Sequence, residues 1–453
     1  MVAKLKTVYI CSECGYESSK WLGKCPECNS WGTLEEEVTS SSTKSSVKKQ
    51  IKNTKVVSFK DVEVETNYRY TTKFNEFDRV LGGGLVKGAV VLLTGNPGIG
   101  KSTLLLQAVD EYSKYGEVLY ISGEESASQV KFRGDRLGLS GDNISIMSET
   151  EMESIYDYVI RKKPKVVVVD SIQTLYSSNF DSIPGTTTQI RECTLKIVEL
   201  AKTHDISFFL VGHITKDGKV AGPKLLEHMV DSVLQFEGEE GLFYRILRSL
   251  KNRFGSTNEL GIFNMEEKGM VEVKNPSEFF LSERDEKNIG SIVVPVLEGT
   301  KIFLLEVQTL VNESPFGIPK RVVQGFDRNR IQILNAVMEK KIGLNLSSKD
   351  VFVNIPGGIK IFDGAADLGV VMAMISVTKG IEVSQKIAAL GELGLRGEIR
   401  KVSFVDKRLK ELEKLGFSGV YLPYSNKKEI ENNSYNLKVI YLKNLAELAE
   451  RMR

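Results

Sequence analysis

Residues 95 to 103 read Gly95-Asn96-Pro97-Gly98-Ile99-Gly100-Lys101-Ser102-Thr103, the spacing G-x-x-x-x-G-K-[ST]. Glycines at these places let backbone N–H groups turn inward around a phosphate. A lysine there reaches the β- and γ-phosphates, and the Ser102 hydroxyl completes the shell of a Mg²⁺ ion. The loop is therefore expected to hold ATP. The buried run Val166 to Val169 ends in Asp170, which is expected to hold Mg²⁺ through water. Hydrolysis also needs a group that orients and deprotonates the attacking water. The turn Ser122-Gly123-Glu124-Glu125-Ser126 offers two carboxylates; Glu124 is the first choice of base and Glu125 the alternative.

A second chemistry lies near the start. Cys11, Cys14, Cys25 and Cys28 form CxxC-x10-CxxC, a pair of knuckles able to present four thiolates to one tetrahedral Zn²⁺. So short a segment has no core of its own, and metal should supply most of its folding energy. Trp21 and Trp31 are expected to pack on the knuckles, with base stacking as the alternative. Cys193 stands alone in an amphipathic stretch and reads as a core residue rather than a nucleophile.

The elements that must position these residues follow from the apolar pattern. Val90 to Thr94, Val118 to Ser122, Val166 to Val169 and Phe208 to Val211 are short β-rich runs, each far enough from the next to admit a helix. That alternation predicts a parallel sheet buried on both faces. Leu104, Leu105, Ala108, Val109 and Tyr112 form one helical stripe after the phosphate loop. The order predicted is a zinc finger over 1–34, a Ser/Thr/Lys-rich linker over 35–66, an α/β nucleotide-binding domain over 67–275 and a second α/β domain over 276–453. The linker residues 38 to 58 contain no acid and cannot bury enough apolar surface to offset their ordering entropy.

The 453 residues are 41% hydrophobic and 26% charged, with 61 Lys and Arg against 59 Asp and Glu. Global charge thus offers no argument for a nucleic-acid partner, and any such contact must come from local patches. No apolar stretch approaches the roughly 20 residues of a membrane span, and Met1 to Ile10 lacks an apolar core and a cleavage site. A cytoplasmic location is expected.

The segment 77 to 103, FDRVLGGGLVKGAVVLLTGNPGIGKST, resembles the RecA/DnaB superfamily. The resemblance implies a RecA-like fold, a glutamate base after the second strand where Glu124 stands, and assembly as rings or filaments with nucleotide at subunit interfaces. With Lys251-Asn-Arg253-Phe-Gly255 and the domain order, the whole chain resembles the RadA (Sms) family of bacterial DNA-repair proteins. In related ring helicases a basic pair at this place reaches the neighbour's nucleotide, which gives Arg253 the role of a finger and Lys251 an assisting one. The resemblance further implies single-stranded DNA and branched recombination intermediates as substrates, a homo-oligomeric ring (a hexamer) and a recombinase partner.

Two loops are candidates for a DNA channel, Leu175 to Gln189 and the stretch after His213. In the latter Lys216, Lys219 and Lys224 would meet phosphates, while His213 itself is placed to sense the γ-phosphate. The C-terminal domain resembles the proteolytic domain of Lon. Its nucleophile segment here reads Asp363-Gly364-Ala365-Ala366-Asp367, with alanine in the serine position, and the base lysine's place falls on Asp406 with Lys407 one step off. A neighbouring helical residue points about 100° away, so no peptidase activity is expected. The domain is expected to organise the ring and offer duplex DNA a basic surface through Lys401, Lys407, Arg408 and Lys410. The resulting expectation is a DNA-dependent ATPase and helicase that translocates on single-stranded DNA and drives branch migration. The alternatives are a filament-forming recombinase, an ATP-dependent Lon-like protease or adaptor, and a non-enzymatic DNA scaffold.

Overall fold

A computed structural model of the chain describes residues 5–11, 16–27, 29–40, 58, 68–213, 223–238, 244–281, 289–314, 319–357 and 359–452. Two compact units emerge, the first ending at Glu272 and the second beginning in the main at Val273.

The first 40 residues hold a small antiparallel sheet, order β2-β1-β3, of β1 (Leu5–Cys11), β2 (Glu17–Ser18) and β3 (Leu34–Ser40). Cys11 pairs with Leu34 across it, and pairing continues to Leu5 opposite Ser40.

The core follows. A short ribbon of β4 (Arg69–Tyr70) and β5 (Leu85–Val86) brackets α1 (Asn75–Val80). Strands then alternate with helices: β6 (Val90–Gly95), α2 (Lys101–Tyr112), β7 (Val118–Ser122), α3 (Ala127–Arg136), β8 (Ile144–Met147), α4 (Met152–Lys162), β9 (Val166–Asp170), α5 (Thr187–His204), β10 (Ser207–His213), α6 (Pro223–Met229) and β11 (Ser232–Glu237). Three strands complete the unit, β12 (Tyr244–Asn252), β13 (Leu260–Glu266) and β14 (Gly269–Glu272).

All nine strands from β6 to β14 form one sheet of order β14-β13-β12-β11-β6-β10-β9-β7-β8. The six from β11 to β8 run parallel, whereas β12, β13 and β14 add on antiparallel. The sheet is therefore mixed, where apolar runs alone predict only its parallel part. Successive side chains of a strand point to opposite faces, so Val91, Leu93, Phe209 and Val211 enter one core while Val90, Leu92, Phe208 and Leu210 enter the other. Burial on both faces explains why these strands lack polar alternation. The α2 stripe of Leu104, Leu105, Ala108, Val109 and Tyr112 is fully buried.

The second unit carries α7 (Pro276–Leu281), β15 (Ser291–Glu298), β16 (Lys301–Glu313), β17 (Arg321–Gln324), α8 (Arg328–Ile342), β18 (Lys349–Asn354) and α9 (Asp367–Lys379). It continues through β19 (Ile387–Ala389), β20 (Glu392–Leu393), β21 (Ile399–Arg400), α10 (Val405–Lys414), β22 (Gly419–Pro423), α11 (Lys427–Ile430), β23 (Lys438–Leu442) and α12 (Leu445–Arg451). Its seven-stranded sheet has the order β17-β18-β16-β15-β19-β22-β23. No described helix is long and apolar enough to cross a membrane.

Candidate nucleotide site

Parallel pairing brings the chemistry to one edge of the first sheet. Register sets Ser122 opposite Asp170 and His213 opposite Gly95, so β6, β7, β9 and β10 all end there. The loop after β6 turns through Gly95, Gly98 and Gly100, all at positive φ. At Gly100, with φ of 110°, the left-handed conformation favours glycine, and the methionine tips of Met265 and Met270 lie where a Cβ would stand.

Lys101 opens α2 almost fully buried, and its Nζ donates to the carbonyls of Gly95 (2.7 Å) and Asn96 (3.0 Å). Burial lowers its pKa to about 8 against the opposing pull of Asp170 and Glu124. Its hydrogen bonds among the described residues go to carbonyls, so the cation is held in place and keeps its charge for an anion. Across from it the Tyr120 hydroxyl donates to Asp170 Oδ2 at 2.6 Å. Burial, followed by the Asp170 charge, raises that phenol well above its ordinary value, and a hydrogen bond with Ser102 opposes the rise. Ser102 and Asp170 thus share a neighbour, and together they are an oxygen donor set of the kind Mg²⁺ takes.

Geometry separates the two glutamates. Glu125 forms an ion pair with Arg133 of α3. Glu124 instead accepts from Ser171 Oγ at 2.8 Å and lies 3.3 Å from His213 Nε2, an approach not aligned as a hydrogen bond. Both ring nitrogens of His213 are buried without a hydrogen-bond partner among the described residues. Gln173 donates to the His213 carbonyl at 3.4 Å. Tyr120, Ser171 and Gln173 escaped the sequence reading. Ser171 had a signal, since it directly follows the strand that ends at Asp170, and Gln173 lies in the short turn just beyond it; Tyr120 looks like any core aromatic.

The Lys251–Gly255 motif sits at the opposite edge. Asp231, just before β11, accepts from the Val90 amide at 3.0 Å, and Val90 begins the strand that Gly95 ends. Five steps of about 3.3 Å separate those edges by roughly 17 Å. Each motif residue has a local task. Lys251 Nζ donates to the Glu227 and Val230 carbonyls (2.5 and 2.9 Å) around the end of α6, and burial, followed by Arg253, lowers its pKa. Asn252 Oδ1 accepts from the Phe254 amide at 2.9 Å. Arg253 Nη1 donates to Asp231 Oδ1 at 3.1 Å, yet 54% of its side chain is exposed. The Phe254 carbonyl accepts from Arg69 Nη2 at 3.0 Å. A Cβ on Gly255 would lie 2.7 Å from Gly82 Cα. The basic pair is therefore split, with Lys251 turned inward and Arg253 left available.

In the first candidate loop, Gln189 is not a loop residue. It is buried within α5 and donates to the Ser177, Phe180 and Ser182 carbonyls. Glu153 binds Ser177, Asn179 and Lys196; these bonds outweigh the upward push of burial and bring its carboxyl down to about 2. The loop is thus pinned at its base and exposes Phe180 and Ile183. Lys216 and Lys219 lie outside the described residues, as does the side chain of Lys224 near the start of α6. Cys193 is fully buried and its thiol is pushed up to about 12, chiefly by burial, in keeping with a core role.

In the N-terminal sheet Cys11 and Cys25 are buried beside Leu34. Their turns close alike, the Cys11 amide donating to the Tyr16 carbonyl and the Cys25 amide to the Ser30 carbonyl, both at 2.9 Å. Two buried cysteines with matching backbone bonds suit a metal with thiolate ligands; Cys14 and Cys28 lie outside the described residues. Both tryptophans lie against Gly23, and Lys24 Nζ lies over the Trp31 ring, next to Cys25 in the chain, yet they stay largely outward, Trp21 59% and Trp31 76% exposed. The segment has too little apolar surface to cover two indoles.

In the second unit Asp363 pairs with Arg408 at 2.7 Å and the fully buried Asp367 pairs with Arg330, on either side of the buried Ala365 and Ala366. Arg408 must therefore be withdrawn from the expected DNA surface, being 1% exposed. It falls on the inward stripe Val405, Arg408, Leu409 and Leu412, whose i, i+3, i+4, i+7 spacing faces the core. Asp406 faces Tyr435 and Lys410, and Lys407 Nζ lies over the Phe404 ring.

Comparison with known proteins adds a lineage to this geometry. Residues 9–36 match the family model of a rubredoxin metal-binding domain, 56–219 that of an AAA domain, and 331–452 that of the Lon protease (S16) C-terminal proteolytic domain. The chain is 48% identical to DNA repair protein RadA of Halalkalibacterium halodurans and 47% identical to that of Bacillus subtilis, in each case over 94% of both chains. It is 48% identical to that of Aquifex aeolicus over 95% of this chain and 96% of the other. Among solved structures it is similar to the KaiC-like protein PH0186 from Pyrococcus horikoshii, with a TM-score of 0.38 and 22% identity over 45% of this chain and 98% of that one. A zinc ribbon, a RecA-like ATPase core and a Lon-like domain thus follow one another, and the chain belongs to the RadA family of DNA repair proteins.

Proposed function

We propose that this chain is a DNA-dependent ATPase that assembles as a ring, translocates on single-stranded DNA and drives branch migration of recombination intermediates. One observation carries the reading. Lys101, Ser102, Asp170 and Glu124 share one sheet edge, while Arg253 stands half exposed about 17 Å away along the strand. A chain built this way cannot bring its own arginine to its own phosphates, so a neighbour supplies it and catalysis depends on assembly. The relatives' common name, DNA repair protein, supports DNA as the partner.

Residues 95 to 103 cradle the phosphates of ATP, and Lys101 offsets their charge. Ser102 and Asp170 hold Mg²⁺, which supplies further positive charge at the β- and γ-phosphates. Glu124 orients and deprotonates water, with Ser171 fixing its carboxylate. Arg253 stabilises the charge developing on the transferred phosphoryl group of the adjacent subunit, and Lys251 assists by tying the end of β12 to α6. Lys216, Lys219 and Lys224 meet DNA phosphates. Cys11, Cys14, Cys25 and Cys28 hold Zn²⁺, a structural ion for the ribbon. The Lon-like domain acts as a scaffold without peptidase activity, because Ala366 has no nucleophilic atom.

ATP hydrolysis by wild type and Lys101→Ala, each with and without single-stranded DNA, tests the reading. DNA should stimulate wild type, and the variant should stay near zero in both conditions. Equal rates in all four would overturn the proposal.

A further inference from the structure

We infer that Asp231 is the positioning residue for Arg253, and that it ties the arginine to the same strand that carries the phosphate loop. This rests on the reading of Arg253 as a group acting on the adjacent subunit's nucleotide.

The Asp231 carboxylate is 5% exposed, and both its oxygens are engaged. Oδ2 accepts from the Val90 amide at 3.0 Å and from Lys202 Nζ at 2.7 Å; Oδ1 accepts from Arg253 Nη1 at 3.1 Å. The backbone closes the same contact, with the Arg253 amide donating to the Asp231 carbonyl at 3.1 Å and the Asp231 amide to the Val90 carbonyl at 2.9 Å. Lys202 is itself anchored on the Gly88 carbonyl at 3.1 Å. Burying a carboxylate is costly unless it is hydrogen-bonded and paired, and here one partner is a half-exposed arginine.

The consequence for Arg253 is geometric. A free arginine samples many rotamers, and ordering it at the moment of reaction costs entropy. With Nη1 held by Asp231, the fork keeps its remaining N–H groups for an oxyanion across the subunit boundary. The Arg69 bond to the Phe254 carbonyl and the contact of Gly255 with Gly82 brace the following backbone. The charge of Asp231 is already shared with Lys202, so the guanidinium is oriented without being fully neutralised.

The test combines kinetics with mixed assemblies. Asp231→Asn should lower kcat about 10–100-fold, the cost of a misplaced catalytic group, with KM for ATP unchanged. It should add nothing in an Arg253→Ala background, because a residue acting only through Arg253 has no further effect once that side chain is gone. Two further mixtures separate the inference from the reading beneath it. Arg253→Ala assembled with Lys101→Ala should recover about a quarter of wild-type activity, the share of random interfaces pairing an intact loop with an intact arginine. Asp231→Asn with Lys101→Ala should recover likewise, whereas Asp231→Asn with Arg253→Ala should not.

Recovery of the first mixture without the second would overturn the positioning role and leave Asp231 a structural residue of its own subunit. Failure of the first would remove the action in trans and the inference with it. If Asp231→Asn does not fold, Asp231→Glu keeps the carboxylate but displaces it by a methylene. It should show the same fall in kcat at constant KM, and wild-type kcat in Asp231→Glu would refute the inference.

Discussion

The two edges of the central sheet are built on opposite principles. At the edge where β6, β7, β9 and β10 end, Tyr120 donates to Asp170, Ser171 donates to Glu124, and Lys101 rests on the Gly95 and Asn96 carbonyls. At the other edge Lys251, Asn252 and Gly255 are consumed by local packing, and Arg253 is left half exposed on a buried carboxylate. One edge is organised around the phosphate loop, and on the proposed reading the other presents an arginine to a neighbouring subunit. The mixed sheet makes this possible: its parallel strands gather their C-terminal ends at the first edge, while antiparallel β12 brings its own C-terminal end to the second, beside the starts of β6 and β11.

The sharpest way to break the comparison is to remove the donated group. Arg253→Ala should reduce kcat by about 10³–10⁵-fold while leaving the affinity for a non-hydrolysable ATP analogue within a few-fold, because such an arginine acts on the transition state. Loss of nucleotide binding would show that this edge supports the fold of the other. Next, Glu124→Gln should cost about 10²–10⁴-fold in kcat, the range for a general base. Glu125→Gln should cost less than tenfold, since Arg133 already engages that carboxylate. Reversed effects in single-turnover assays would exchange their roles.

Packing at the donating edge offers a smaller test. Gly255→Ala forces a Cβ to within 2.7 Å of Gly82 Cα, and overpacking of this kind costs about 1–3 kcal/mol. A fall in Tm with unchanged nucleotide affinity is expected; a coupled loss of affinity would join the two edges.

The smallest effect concerns proton linkage at Lys101. Burial lowers its pKa to about 8, and bound phosphates favour its charged form. Affinity should therefore hold below pH 8 and fall above it, being about tenfold weaker at pH 9 than at pH 7, the cost of reprotonation one unit above the pKa. Lys101→Arg should abolish the slope, since arginine keeps its charge. Calorimetric titration of the analogue at both values decides it.

Much of the core was legible before any coordinates, and the reason is locality. The loop at 95–103, the strand before it and the stripe after it are contiguous, and their signals are glycine conformation, apolar run length and helical period. The three antiparallel strands past β11 are less legible, because β12 mixes buried, half-buried and exposed residues without a clean period, and their pairing is set across the sheet. Arg408 was misread for a related reason. A basic cluster suggested a surface, although its own helical spacing placed it inward beside Leu409.

Alone, the sequence determined which atoms could bind phosphate and metal, and in what order the domains follow, because those properties reside in residue type and short spacing. Tertiary structure decided which of two adjacent glutamates faces Lys101, which member of the basic pair stays exposed, and that Asp231 holds it. These choices depend on burial and on partners as far as 141 residues apart, as between Val90 and Asp231. Only the assembled sheet, with its two distinct edges, brings such partners within hydrogen-bonding distance.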